Sequence, residues 1–316
     1  MSVYQKLPRP FYVLAPMDDV TDTVFRQIIN NLAPPDLYFT EFVNVDGLVS
    51  SGKDKLLSKL AYNSTEKPIV AQLWGKEPVN FKKIATDIKN MGFDGIDLNM
   101  GCPDKAIVKN GCCSGLINNR DLARKIILAT IEGAKGLPVS IKTRIGFNEV
   151  DISWPEFLLD FEISALTIHG RTRKQMSKSP VDWNTIDHIR QIRDQKKVDV
   201  LIIGNGDIDS REQGDLLAQK YQLDGLMIGR GALKDPFVFS KNSPWLSYPV
   251  NQKIELFIKH IELFKLTYIH NERSFKQLFK FAKLYINGFD GANELRTQIM
   301  SIHTPDEALK ILKKII

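Results

Sequence analysis

Cys102 stands in the run Asp97-Leu98-Asn99-Met100-Gly101-Cys102-Pro103, where a glycine and a proline fix how its thiol is presented and a polar Asn99 lies three residues before it. A thiol with a reference pKa of about 8.5 is mostly protonated at neutral pH, so it can give a proton as readily as it can attack. The plainer alternative is a buried, inert cysteine. Two glycine turns, Gly204-Asn205-Gly206-Asp207 and Gly229-Arg230-Gly231, suit a phosphate-bearing ligand. Small residues there let backbone N–H groups approach the oxygens, and Arg230 adds a charge; either turn alone would serve equally as a tight structural bend. Lys142 and His169 are two potential cations, Gln72 could hydrogen-bond a ring, and Pro16-Met17 could floor it. Cationic groups near the pyrimidine edge of a flavin would stabilise the negative charge of its reduced form.

These residues share one property, which is that each closes a short apolar run. The runs are Tyr12 to Ala15, Leu37 to Thr40, Ile69 to Leu73, Gly95 to Leu98, Val139 to Lys142, Ala165 to Ile168, Val200 to Ile203 and Gly225 to Ile228. Most are followed by an amphipathic pattern, as in Asn80 to Met91, Asp121 to Glu132 and Trp183 to Asp194. Alternating strand and helix predicts a parallel sheet, and strands without period-two alternation are covered on both faces. Eight such units over about 240 residues predict a (β/α)8 TIM barrel, an α/β fold whose chemistry sits at the carboxyl ends of the strands. The glycine turns then follow strands seven and eight, the usual barrel phosphate site.

Beyond strand eight, Pro244 and Pro249 interrupt any helix, and the sequence from Gln252 onward reads as helices without a strand signal. The expected organisation is a catalytic barrel over residues 1–245 and a small C-terminal helical domain over 246–316. The chain has 316 residues and a net charge of +6, and residues 247–316 alone carry 11 Lys or Arg against 7 Asp or Glu. A polyanionic partner for the tail is one reading of that imbalance. In Ser274 to Tyr285, Lys276, Lys280 and Lys283 interleave with Phe275, Phe279, Phe281 and Tyr285, which fits nucleic-acid contact and equally an amphipathic helix with a solvated basic face.

With 43% hydrophobic and 25% charged residues the chain can build a sizeable core, which excludes disorder and collagen-like repeats. No apolar run reaches the roughly 18 residues that span a bilayer, and the first residues lack the apolar stretch of a signal peptide, so a cytoplasmic protein is expected. Three cysteines, Cys102, Cys112 and Cys113, form neither a disulfide framework nor, without nearby histidines, a convincing metal site.

The sequence closely resembles the tRNA-dihydrouridine synthase family. The matching segments are Leu14-Ala15-Pro16-Met17, Thr40-Glu41-Phe42, Gln72-Leu73-Trp74-Gly75, Asp97 to Pro103, Lys142-Thr143-Arg144, His169-Gly170-Arg171-Thr172-Arg173, Asn205-Gly206-Asp207 and Gly229-Arg230-Gly231-Ala232. Looser matches, Leu284-Tyr285-Ile286-Asn287-Gly288 and Glu294-Leu295-Arg296, run into the tail. The resemblance implies tightly bound FMN held by Pro16, Met17, Asp18, Gln72, Lys142, His169, Asn205, Gly206, Asp207, Gly229 and Arg230. It implies NADPH as reductant, Cys102 as the acid that protonates C5 of a uracil, Asn99, Arg171 and Arg173 on the substrate, and tRNA as partner with no obligate protein partner. The chain departs from the family pattern at Cys112 and Cys113, usually glycine or alanine, at Ser177, often aromatic, and at Leu284, usually tryptophan. Two other functions remain open from the residues alone: an FMN barrel reducing free pyrimidines, and a tRNA-binding protein that has lost turnover.

Overall fold

The structure is a computed structural model that describes residues 2–270 and 272–316. Among these, eight parallel strands form one sheet: β1 (Phe11–Leu14), β2 (Tyr38–Asn44), β3 (Ile69–Trp74), β4 (Gly95–Met100), β5 (Val139–Arg144), β6 (Ala165–His169), β7 (Leu201–Asn205) and β8 (Gly225–Ile228). Each strand pairs with the next in sequence from β2 to β8, and β8 pairs back with β1. A parallel bridge between Val13 and Leu37 joins β1 to β2 and closes the barrel.

Burial explains the strand sequences. β1, β4 and β8 are buried at every position, so an alternating pattern has no polar face to mark. Several strands run past the predicted apolar segments: β2 continues through Glu41 to Asn44 and β5 through Lys142 to Arg144. The polar residues that ended those runs in sequence are the strand ends that reach the barrel mouth. In β2 the register with β3 shifts between Phe39 and Phe42, a bulge at Thr40-Glu41 that the Thr40 hydroxyl ties down by accepting from the Gln72 N–H at 3.0 Å.

After β8 the chain makes short turns around Trp245 and enters the helix Val250–Thr267. The expected single helix over Ser274 to Tyr285 is instead a 3₁₀ segment, Phe275–Phe281, followed by a helical turn, Ala282–Tyr285. Phe275, Leu278 and Phe281 are its buried residues, and their spacing of three matches the three residues per turn of a 3₁₀ helix. The aromatic side chains therefore pack inward, while Lys276, Lys280 and Lys283 stay exposed.

The tail is clamped to the barrel beside β1 and β2. Arg273 donates to the fully buried Glu41 at 3.1 Å, the Tyr268 hydroxyl donates to Asp22 at 3.1 Å, and Gln277 donates to Asp19 at 3.1 Å. Phe281 packs on Phe25, ring centroids 4.7 Å apart.

Candidate active site

A cavity of about 680 Å³ opens at the carboxyl ends of β1, β5, β6, β7 and β8. Its phosphate-sized end is made by the two glycine turns. Gly206 (φ 133°) and Asp207 (φ 46°) both lie at positive φ, and a Cβ on Gly206 would sit 2.8 Å from Val181 and 3.0 Å from the His169 ring. Only glycine fits there. A Cβ on Gly229 would instead point at Ala15 and Met17, 3.4 and 3.5 Å away, across the space a ligand would use. Arg230 and Lys234 line this end, ion-paired with Asp207 and Asp209 respectively, which line it too.

The other end carries the cations, and Pro103 brings the loop of Cys102 to its edge without the thiol itself lining the cavity. Lys142 and Arg144, two apart on β5, project to the same side of the sheet and both line the cavity. The Lys142 ammonium donates to Asn205 at 3.1 Å, and burial, with Arg144 beside it, lowers its pKa to about 8. Arg144 is tied to the carbonyl of Gly101 at 2.7 Å and to those of Thr172 and Met176 at 3.1 Å, so it braces the loop that carries Cys102. The neighbouring Cys113 side chain lowers the Cys102 thiol to about 7 against burial, helped by the Asp104 backbone and by Arg144. Cys113 is fully buried at φ 51°, held there because Ser114 donates through its hydroxyl to the Cys102 carbonyl at 2.8 Å.

A family model for dihydrouridine synthase matches residues 13–316, nearly the whole chain. The chain belongs to the dihydrouridine synthase family. It is 42% identical over 314 residues to a probable tRNA-dihydrouridine synthase of Staphylococcus aureus (strain MRSA252), covering 98% of this chain and 94% of that one. A probable tRNA-dihydrouridine synthase 2 of Bacillus subtilis (strain 168) is also 42% identical, over 315 residues, with 98% and 95% covered. Among solved structures, a morphinone reductase variant superposes with a TM-score of 0.52 over 76% of this chain and 90% of that one; at 12% identity it speaks for the barrel fold alone.

The flavin that membership of the dihydrouridine synthase family implies suits this cavity: the volume is right for a mononucleotide, and Gly206 and Gly229 line it with backbone where a phosphate would sit. Pro16, Met17, Lys142, His169, Asn205, Gly206, Asp207, Gly229 and Arg230 all line it, together with Pro103 from the loop of Cys102.

The remaining expected residues are placed as follows. Asp18 does not line the cavity; its carboxylate is paired with Lys59. His169 is not a second cation, because burial and the surrounding Lys142, Arg144, Arg171 and Arg230 push its pKa far down and keep the ring neutral. Arg171 is 2% exposed, and its guanidinium is bonded to Asp207 and the Ser179 carbonyl. Asp207 bridges Arg171 and Arg230, so its carboxylate balances two guanidiniums and only its backbone is free to meet an anion. Arg173 lies over the Phe147 ring at 5.3 Å, with its Nε unpartnered. Gln72 and Asn99 are buried below the rim and hydrogen-bond each other at 3.0 Å. Arg144 and Lys234 were not singled out as site residues, although the spacing of Lys142 and Arg144 on one strand face was a usable signal.

Proposed function

We propose that this protein reduces the C5=C6 bond of uridines in tRNA to 5,6-dihydrouridine, using FMN in the barrel cavity and NADPH as reductant, in the cytoplasm. The observation that carries the reading is the placement of Cys102 just past the end of β4, on a loop whose Pro103 lines a cavity suited to a phosphate-bearing flavin. When bound, reduced FMN supplies the hydride for C6 of the uracil.

The protein's own residues do the rest. The N–H groups of the two glycine turns and the Arg230 and Lys234 side chains take the phosphate. Pro16 and Met17 would floor the ring, and Lys142 would stabilise a negative charge on its pyrimidine edge; all three line the cavity. Cys102 would hold a proton on Sγ and give it to C5 of the uracil, and the neighbouring Cys113 side chain and Arg144 would stabilise the thiolate left behind. Arg173 is assigned to the strand flanking the uridine, and Asn99, whose amide is bonded to Gln72 and to the N–H groups of Gly101 and Cys102, to holding the Cys102 loop beneath the base.

The tail supplies an anionic-strand surface. A groove of about 760 Å³ runs between the β8 rim and the tail, lined by Lys234, Lys253, Lys280, Lys283 and Arg296 without a carboxylate. Lysines and an arginine gathered in one groove suit a phosphodiester backbone, and a free pyrimidine would have no use for them. A Cys102→Ala enzyme is expected to keep its flavin absorbance and tRNA affinity and to lose product formation by about 10²- to 10⁴-fold, the usual worth of a positioned acid. Unimpaired product formation would reject the assignment.

A further inference from the structure

Asp97 lies on β4, is fully buried and does not line the cavity, yet it stands at the head of a chain of hydrogen bonds that ends on the backbone of Cys102. Its Oδ2 accepts from the Gln72 amide nitrogen at 2.7 Å and its Oδ1 from the Ser140 hydroxyl at 2.6 Å, which itself accepts from Tyr4 at 2.8 Å. Gln72 then accepts, through Oε1, from the Asn99 Nδ2 at 3.0 Å. Asn99 in turn accepts, through Oδ1, from the N–H groups of Gly101 at 3.1 Å and Cys102 at 3.0 Å.

We infer that Asp97 is a positioning residue, whose acceptor-only carboxylate sets the direction of the Gln72 and Asn99 amides and thereby aims the backbone that carries Cys102. The inference rests on Cys102 being the proton donor. Its logic is one of polarity. A carboxylate only accepts and a backbone N–H only donates, so two amides between them have one arrangement that pairs every group. An asparagine in place of Asp97 would remove that constraint. Its amide nitrogen could face the Gln72 oxygen, turning the Gln72 nitrogen to the Asn99 oxygen and the Asn99 nitrogen onto the N–H groups of Gly101 and Cys102. Donor would then meet donor, and an unmade buried hydrogen bond is costly. Burial of Asp97 opposes its ionisation and raises its pKa to about 6, a cost that an uncharged residue would avoid.

The same polarity argument gives the test. In Asp97→Asn the acceptor end is lost. In Asn99→Asp two carboxylates compete for the one Gln72 nitrogen. The double variant Asp97→Asn/Asn99→Asp restores a single consistent order: the carboxylate introduced on the Cys102 side accepts from the loop and from Gln72, and the amide introduced at the other end donates to the Gln72 oxygen. The readout is alkylation of Cys102 by iodoacetamide in the flavin-loaded protein, quantified on the Cys102 peptide from about pH 6 to about pH 9. The groups facing the thiol, namely Cys113, Asp104, Arg144 and Lys142, are unchanged in all three variants.

Each single variant is expected to move the profile to higher pH, with alkylation at pH 7 slowed about tenfold as the thiol loses its aligned partners. The double variant is expected to return toward the parent. Should a single variant lose its flavin, the double variant is expected to recover it. An unchanged profile in Asp97→Asn, or a double variant no nearer the parent than the singles, would overturn the inference. Alkylation involves neither tRNA nor hydride, so a protein inactive on tRNA that still gave this pattern would reject the proposed reaction and leave the positioning role standing.

Discussion

Replacing Cys113 by glycine tests the acidity of Cys102 without touching the donor itself. Cys113 sits at φ 51°, a conformation glycine adopts without penalty, and its side chain is the largest influence holding Cys102 near 7 and not at the ordinary 9.0. Removing it should return Cys102 toward that ordinary value and make it a weaker acid by up to about a hundredfold. With a Brønsted slope of about 0.5, proton transfer from the fully protonated enzyme slows about tenfold. The proton also stays on to higher pH. At pH 8 a group titrating at 7 is protonated in about one molecule in eleven and one titrating at 9 in about ten in eleven, so the two effects cancel there. The assay is single-turnover dihydrouridine formation by pre-reduced enzyme, scored by mass spectrometry of the tRNA. Cys113→Gly should be about tenfold slower than the parent at pH 6, equal near pH 8 and about fivefold faster at pH 9. Lys142 titrates near 8 in both proteins, so the ratio of rates removes its contribution. A ratio that does not change with pH would refute the reasoning.

Arg273→Met should destabilise the protein by about 3–5 kcal/mol in urea unfolding, because it strands the buried Glu41 carboxylate, and Arg273→Met/Glu41→Gln should recover most of that. Burial already raises the Glu41 pKa above 4.5, and losing the guanidinium raises it further, so the deficit should be smallest at acid pH and grow as pH rises and the carboxyl is forced to ionise. Lys280→Ala/Lys283→Ala should weaken tRNA binding and flatten the log–log salt slope by about 1 to 2, with NADPH oxidation unchanged, as fluorescence titrations at several salt concentrations would report. Gly206→Ala should leave the barrel folded by circular dichroism but lower the flavin content of the purified protein, since the new methyl meets Val181 and His169.

The barrel was legible because eight apolar runs alternate with amphipathic helices, and the phosphate end because its glycines are required by backbone geometry. The rest depended on side-chain partners that no spacing reveals. His169 looked like a cation until its burial and four basic neighbours were seen, and the spacing of Arg171 gave no sign that Asp207 and Ser179 bond its guanidinium. Asp18 follows the matching Pro16-Met17 pair directly, yet the turn after β1 sends its carboxylate to Lys59. The aromatic residues of the tail could have been stacking surfaces or core; a period of three settled them inward, which no helical-wheel reading would give. Asp97 was quoted as part of a motif, but its importance lies in the direction of two amides, a property only the assembled barrel has.

The proposed reaction itself is tested by quantifying dihydrouridine by mass spectrometry in tRNA that lacked it beforehand, after incubation with the purified protein, FMN and NADPH. A rise over the protein-free control that is lost with Cys102→Ala is the predicted result, and fragment mapping of the same sample would locate the reduced uridine. No rise, with a tRNA otherwise fully modified and a flavin-loaded protein, would contradict it.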